Sequence, residues 1–145
     1  MRLVFAAIAI TFLAACGQAA IPASERAPVS APAADVRVLA VTSHADWCGS
    51  CKALEPKIDA VQAANTFEGV AFAVIDYTSR NDAAFFADAE TLGIGAAMRA
   101  TFADKIKTGR LYLINMDTGE VISTVDKSMD ETAITAAITE AAALS

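Results

Sequence analysis

The segment Trp47-Cys48-Gly49-Ser50-Cys51-Lys52 carries the side chains with the clearest chemistry. Two cysteines three positions apart can close into a disulfide or open into a dithiol, so the reaction on offer is thiol–disulfide exchange. That reaction needs two unlike sulfurs. One must be exposed and ionised to attack, and the other must sit behind it to resolve the mixed disulfide. The segment follows an apolar run at residues 36–41 and opens a helical stretch at residues 52–63. Cys48 therefore falls at a helix start, beside free backbone N–H groups and the positive end of the helix dipole. C-x-x-C settings lower a thiol pKa from about 8.5 to roughly 3.5–7.5. Cys51 lies one turn deeper, on the side that packs against a sheet. These positions make Cys48 the nucleophile and Cys51 the resolving thiol. The same pair could instead be a static structural disulfide, or half of a metal site. A structural zinc site would need two more ligands, and the other candidates are His44 and the distant Cys16.

His44 stands four residues before Cys48. Protonated, it would favour the Cys48 thiolate, because a positive neighbour lowers a thiol pKa, while Asp46 acts in the opposite sense. The plainer alternative is a half-exposed ring packed beside Trp47.

Cys16 belongs to a different chemistry. Met1-Arg2 is followed by the apolar run LVFAAIAITFL at residues 3–13 and then by small residues. That is the layout of a secretory signal, too short for the ~20 apolar residues of a membrane-spanning helix. Leu13-Ala14-Ala15-Cys16-Gly17 resembles the lipobox of bacterial lipoproteins. The resemblance implies cleavage after residue 15 and acylation of Cys16. Buried acyl chains contribute ~0.8 kcal/mol per CH₂ and would hold the protein on a bilayer. An ordinary cleavable signal that happens to contain a cysteine is the alternative. Gly17, with no Asp after the cysteine, points to an outer membrane if the cell has one.

The elements that must position the dithiol are legible in outline. Residues 16–35 are rich in Ala, Pro and Ser and read as an extended, lipid-anchored linker. Residues 36–145 suffice for one domain. A β-branched run at 36–42 predicts a strand, and residues 48–64 predict a helix with Leu54, Ile58 and Val61 on one face. Residues 70–76 predict a second buried strand, parallel to the first. Residues 81–107 are helical in character and broken near Gly93-Ile94-Gly95. Residues 111–114 and 121–125 flank Asp117-Thr118-Gly119 as an antiparallel hairpin. A last helix, capped by Ser128 or Asp130, carries Ile134, Ile138, Ala141 and Leu144.

This order, with the dithiol between the first strand and first helix, resembles the thioredoxin family over residues 36–144. Ala45-Asp46-Trp47-Cys48-Gly49-Ser50-Cys51-Lys52 and Pro56, five residues after the second cysteine, carry the resemblance. It implies an α/β fold of three layers, with a mixed four-stranded sheet flanked by helices. It also implies thiol–disulfide oxidoreductase activity, with Cys48 and Cys51 as the catalytic pair and no cofactor or metal beyond their disulfide. Trp47, Gly49, Ser50, Lys52, Thr108 and Gly109 form the surroundings of that pair.

The chain departs from the family in three places. The family's cis-proline facing the dithiol is absent, because no proline follows Pro56. Thr108 or Gly109 takes its position. A non-proline cis bond costs about 3–4 kcal/mol, so a trans bond is expected, with Gly109 supplying the freedom. The loss could leave the sulfurs open to a metal. Thr42 stands where the family buries an acid, and Glu55 is the candidate substitute, the alternative being a solvated helix carboxylate. The third departure is a longer stretch between Asp76 and Gly109. An extra helical element is expected there, with Phe85, Phe86, Leu92, Met98 and Phe102 in its core.

The net charge is −6, and loss of Arg2 with the signal moves it to −7. An acidic chain without a Lys/Arg cluster argues against nucleic acid or anionic headgroups as partners. Potentials of C-x-x-C proteins run from about −270 to −120 mV, a span of ~7 kcal/mol. Gly49-Ser50 offers no histidine between the cysteines, which favours the reducing end. The expected protein is an exported, membrane-tethered reductase facing the periplasm or cell exterior. Its partners would be disulfide-bearing proteins and a membrane thiol carrier as electron donor. A Cu(I) chaperone using Cys48, Cys51 and His44, or a non-enzymatic adaptor, are the competing readings.

Overall fold

The computed structural model describes residues 30–145. The signal segment, the lipobox with Cys16 and most of the linker lie outside the described residues. Among the described residues no helix is long and apolar enough to cross a membrane.

The chain runs β1 (Val38–His44), α1 (Gly49–Ala64), β2 (Val70–Asp76), α2 (Asp82–Thr91), α3 (Gly95–Thr101), β3 (Arg110–Asn115), β4 (Val121–Asp126) and α4 (Glu131–Ala143). The four strands form one mixed sheet in the order β2-β1-β3-β4. β1 and β2 are parallel, with Val38 opposite Val70 and His44 opposite Asp76. β1–β3 and β3–β4 are antiparallel. The expected three-layer architecture is therefore present.

Alternation along β1 divides the interior in two, since successive side chains point to opposite faces of a sheet. Leu39 and Val41 join Phe85, Leu92, Met98, Phe102 and Tyr112 in the core under α2 and α3. Val38 and Ala40 join Leu54, Ile58, Val61, Ile134, Ile138 and Ala141 in the core under α1 and α4. β2 is expected to be buried, but it is an edge strand and only Ile75 is fully covered. Leu144 also departs from expectation: it ends α4 as its C-cap and is 65% exposed. Asp130, rather than Ser128, caps α4 by accepting from Ala133 N at 2.8 Å.

The difference that matters most for the site is at β1. The strand runs two residues beyond Thr42, through Ser43 to His44, and all seven of its residues are buried. Parity then puts His44 on the face of Val38, Ala40 and Thr42, toward α1.

Candidate active site

The dithiol sits where β1 hands over to α1. Ala45 O accepts from Cys48 N at 2.9 Å, closing the turn between them. Cys48 is the N-cap of α1, and its sulfur accepts from Cys51 N at 3.1 Å. A sulfur in that place satisfies an otherwise unpaired N–H group and faces the positive end of the helix. The first turn carries no acidic side chain to offset that field. Cys48 and Cys51 form a disulfide, with Cα atoms 5.3 Å apart. Cys51 is fully buried, and Cys48, at 6% exposed, is the more accessible of the two. Gly49 and Lys52 are exposed, and Ser50 is partly so.

Gly109 lies close to the disulfide. All peptide bonds among the described residues are trans, and Gly109 has a φ of +75°. Its N–H donates to Ser43 O at 2.8 Å, which ties the loop to the end of β1. A Cβ at Gly109 would stand 2.5 Å from Ser50 Cβ and 3.1 Å from both Cys48 Sγ and Cys51 N. Thr108 lies beside it, partly buried. Without a Cβ, the glycine lets backbone approach the sulfurs directly.

Ser43 is a residue the sequence reading missed. It is fully buried, and its hydroxyl donates to Lys107 O at 2.8 Å. Cys51 Sγ lies 3.7 Å from the Ser43 carbonyl oxygen, which can accept from it in the reduced state. The signal was the length of β1: a strand ended at Thr42 leaves Ser43 in a loop.

His44 is not a half-exposed ring beside Trp47. Its side chain is 11% exposed and is held from both sides. Nδ1 pairs closely with Glu55 Oε1, and Nε2 lies 3.1 Å from Asp46 Oδ1. Glu55, one turn after Cys51 on α1, is likewise not a freely solvated carboxylate; its side chain is 27% exposed. Donor atoms of His44, Cys51 and Glu55 all lie within 4.8 Å of one another. Thr42 is buried. Two ionisable groups flank the Cys51 sulfur. Only after reduction of the disulfide would Cys51 offer a thiolate, and the three donors, nitrogen, sulfur and oxygen, then suit a borderline cation such as Zn²⁺.

Trp47 is 45% exposed. It donates from Nε1 to Thr78 O at 3.0 Å, and the Arg80 guanidinium lies 4.2 Å from its ring centroid. Tyr77 meets it edge-on at 6.4 Å. The Tyr77 hydroxyl donates to Asp82, and that bond raises its pKa above the ordinary phenol value.

A family model described as Thioredoxin matches residues 30–91. No curated protein matches the chain. The crystal structure of StoA from Bacillus subtilis is similar at 14% identity and a TM-score of 0.48, over 70% of this chain and 81% of that one.

Proposed function

We propose that this thioredoxin-fold protein is a membrane-tethered thiol–disulfide oxidoreductase that reduces disulfides of extracytoplasmic proteins. The observation that carries the reading is the Cys48–Cys51 disulfide at the start of α1, with the Cys48 sulfur as the helix N-cap. A thioredoxin-like fold with such a pair supports thiol–disulfide exchange. The direction of electron flow, the tether and the partners are our reading of the sequence.

In the reduced protein, the Cys48 thiolate attacks one sulfur of a substrate disulfide. A mixed disulfide forms and the other substrate sulfur leaves as a thiolate. The Cys51 thiol then gives up its proton and attacks Cys48 Sγ, releasing the second substrate thiolate and closing the Cys48–Cys51 bond. Two electrons pass to the substrate, whose two sulfurs end as thiols. A membrane thiol carrier would return two electrons and two protons. Glu55 and His44 are the groups placed to take the Cys51 proton. Cys16, acylated, would hold the domain at the bilayer through the Ala/Pro-rich linker.

Reduction of insulin by wild type and by Cys48→Ser tests the activity. Turnover by wild type alone supports it; equal inactivity sinks it. The dithiol potential against glutathione tests the direction, and a value above about −150 mV would reverse the assignment to an oxidant. Cys16→Ser should move the protein from the membrane fraction to the soluble exported fraction with reductase activity intact. Unchanged membrane association would refute the tether.

A second reading rests on the cluster of His44, Cys51 and Glu55. Reduction frees Cys48 and Cys51 as thiolates, and with His44 they could carry Cu(I) as a chaperone's cargo. Stoichiometric copper uptake by a protein inactive toward insulin would favour that reading.

A further inference from the structure

Beside the dithiol lies a cavity of ≈ 530 Å³. Trp47 and Tyr77 form one part of its lining, and Arg80, Lys105, Lys107 and Arg110 line it too. Thr108, another lining residue, precedes Gly109, where a Cβ would stand 3.1 Å from Cys48 Sγ. Four of the chain's eleven Lys and Arg residues therefore gather at one cavity of a protein whose net charge is −6. No carboxylate is among the lining residues.

Among the described residues none of these four cations forms an ion pair, although Arg110 is close enough to add to the Ser128 hydrogen bonds in lowering the Asp126 pKa. Ion pairs among the described residues join His44 to Asp46 and Glu55, and Arg99 to Glu90. Other basic side chains are occupied elsewhere. Arg37 donates to the Ser145 carbonyl, and Lys57 donates to the carbonyls of Lys127 and Met129. Arg110 faces Asp126 across the β3–β4 pair without forming an ion pair. Arg80 lies over Trp47 and is held with a φ of 56°. Like charges gathered at one place create a local positive potential that attracts an anionic ligand. Charges at the rim of a site steer an oppositely charged partner and reject a like-charged one.

We infer that this cavity selects disulfide substrates that carry carboxylates next to the reacting sulfur. The inference rests on the exchange reading for its meaning, but the binding step stands apart from catalysis. Carboxylates flanking a disulfide occur in an acidic polypeptide segment and in glutathione disulfide. Lys105, Lys107 and Arg110 would receive them, with Trp47 offering a face to the adjoining side chain.

Trp47 is the single tryptophan of the chain, so its intrinsic fluorescence reports on the cavity. The oxidised protein, which has no free thiol at the site to react, is titrated with three probes. Two are six-residue peptides with a central S-methylcysteine, one flanked by Asp and Glu and the other by Lys. The third is glutathione disulfide. At about 20 mM salt the acidic peptide should bind about tenfold more tightly than the basic one, equivalent to ~1.4 kcal/mol. The preference should shrink several-fold at about 0.5 M salt. Lys105→Glu with Lys107→Glu should reverse it, and Lys105→Gln with Lys107→Gln should weaken it. Both residues are exposed, and circular dichroism verifies that each variant is folded. Tight binding of glutathione disulfide alone would make a small tripeptide the source of the carboxylates; tight binding of the acidic peptide would make it a protein. Equal affinity for both peptides, with glutathione disulfide unbound, would overturn the inference, as would a preference that survives charge reversal. Insulin inactivity with the charge preference intact would remove the exchange reading and leave the acidic-ligand site in place.

Discussion

Gly109 lies near Cys48 and Glu55 near Cys51, and each makes a separate claim. At Gly109 the backbone is left-handed, which costs roughly 1–2 kcal/mol for a residue with a Cβ. The methyl of an alanine would press on Ser50 Cβ and on the Cys51 backbone nitrogen, and overpacking adds typically 1–3 kcal/mol. Gly109→Ala should lower unfolding stability in urea by about 2–5 kcal/mol and slow exchange, because the loop must withdraw from the sulfurs. Wild-type stability in that variant would show that the close approach is unimportant. Glu55 is argued as a proton acceptor for Cys51. General base catalysis contributes typically about 10²-fold or more, so Glu55→Gln should prolong the mixed disulfide by about that factor. Acid quenching and mass spectrometry of the trapped adduct measure its lifetime. An unchanged lifetime would remove Glu55 from the mechanism. The cysteines, Trp47 and Gly109 were legible because the motif and the missing proline point straight at them. His44 and Ser43 were not, since their roles depend on which way a side chain or carbonyl faces.

That facing is decided by the extent of an element. A strand that ends at Thr42 leaves His44 in a loop, whereas one that runs to His44 turns it inward toward α1 and Glu55. Two residues of strand length separate a solvated ring from a buried one beside Cys51. Hydropathy could not show the extension, because Ser43 and His44 are polar and yet buried. Helix boundaries were easier, for they rest on local capping chemistry. Asn81 caps α2 by accepting from Ala84 N, and Asp130 caps α4. The α4 cap gives a clean test, since α4 packs on the face of the sheet shared with α1. Asp130→Ala removes the acceptor of Ala133 N and should cost about 1 kcal/mol of stability. Thermal unfolding measures it. A loss below a few tenths of a kcal/mol would mean that solvent or Ser128 replaces the cap.

On the scale of the molecule, the order of strands and helices was readable because each element has its own periodicity. The cationic cavity was not, because its residues come from three separate stretches around Trp47, Arg80 and Lys107 that only folding unites. The aromatic core shows a comparable long-range effect. Tyr112 from β3 packs edge-on against Phe102 at 5.3 Å and is 3% exposed. Burial disfavours its phenolate and pushes its pKa up from 10.0 to about 12, against a smaller opposing pull from Arg110. Below pH 10 the phenol is neutral in folded and unfolded chains alike, so the stabilisation is fully present there. Between about pH 10 and 12 the unfolded chain sheds the proton while the folded one retains it, and stability falls as pH rises. Integrated from pH 9 to 12, the loss from this group is about 2 kcal/mol. Tyr77, whose pKa is also raised, adds to the slope in wild type and in a Tyr112 variant equally. Tyr112→Phe should therefore flatten the alkaline limb of urea-unfolding stability by about 2 kcal/mol relative to wild type. The two profiles would run parallel if the ring were solvated in the native state, and the core under α2 and α3 would then be looser than its packing indicates.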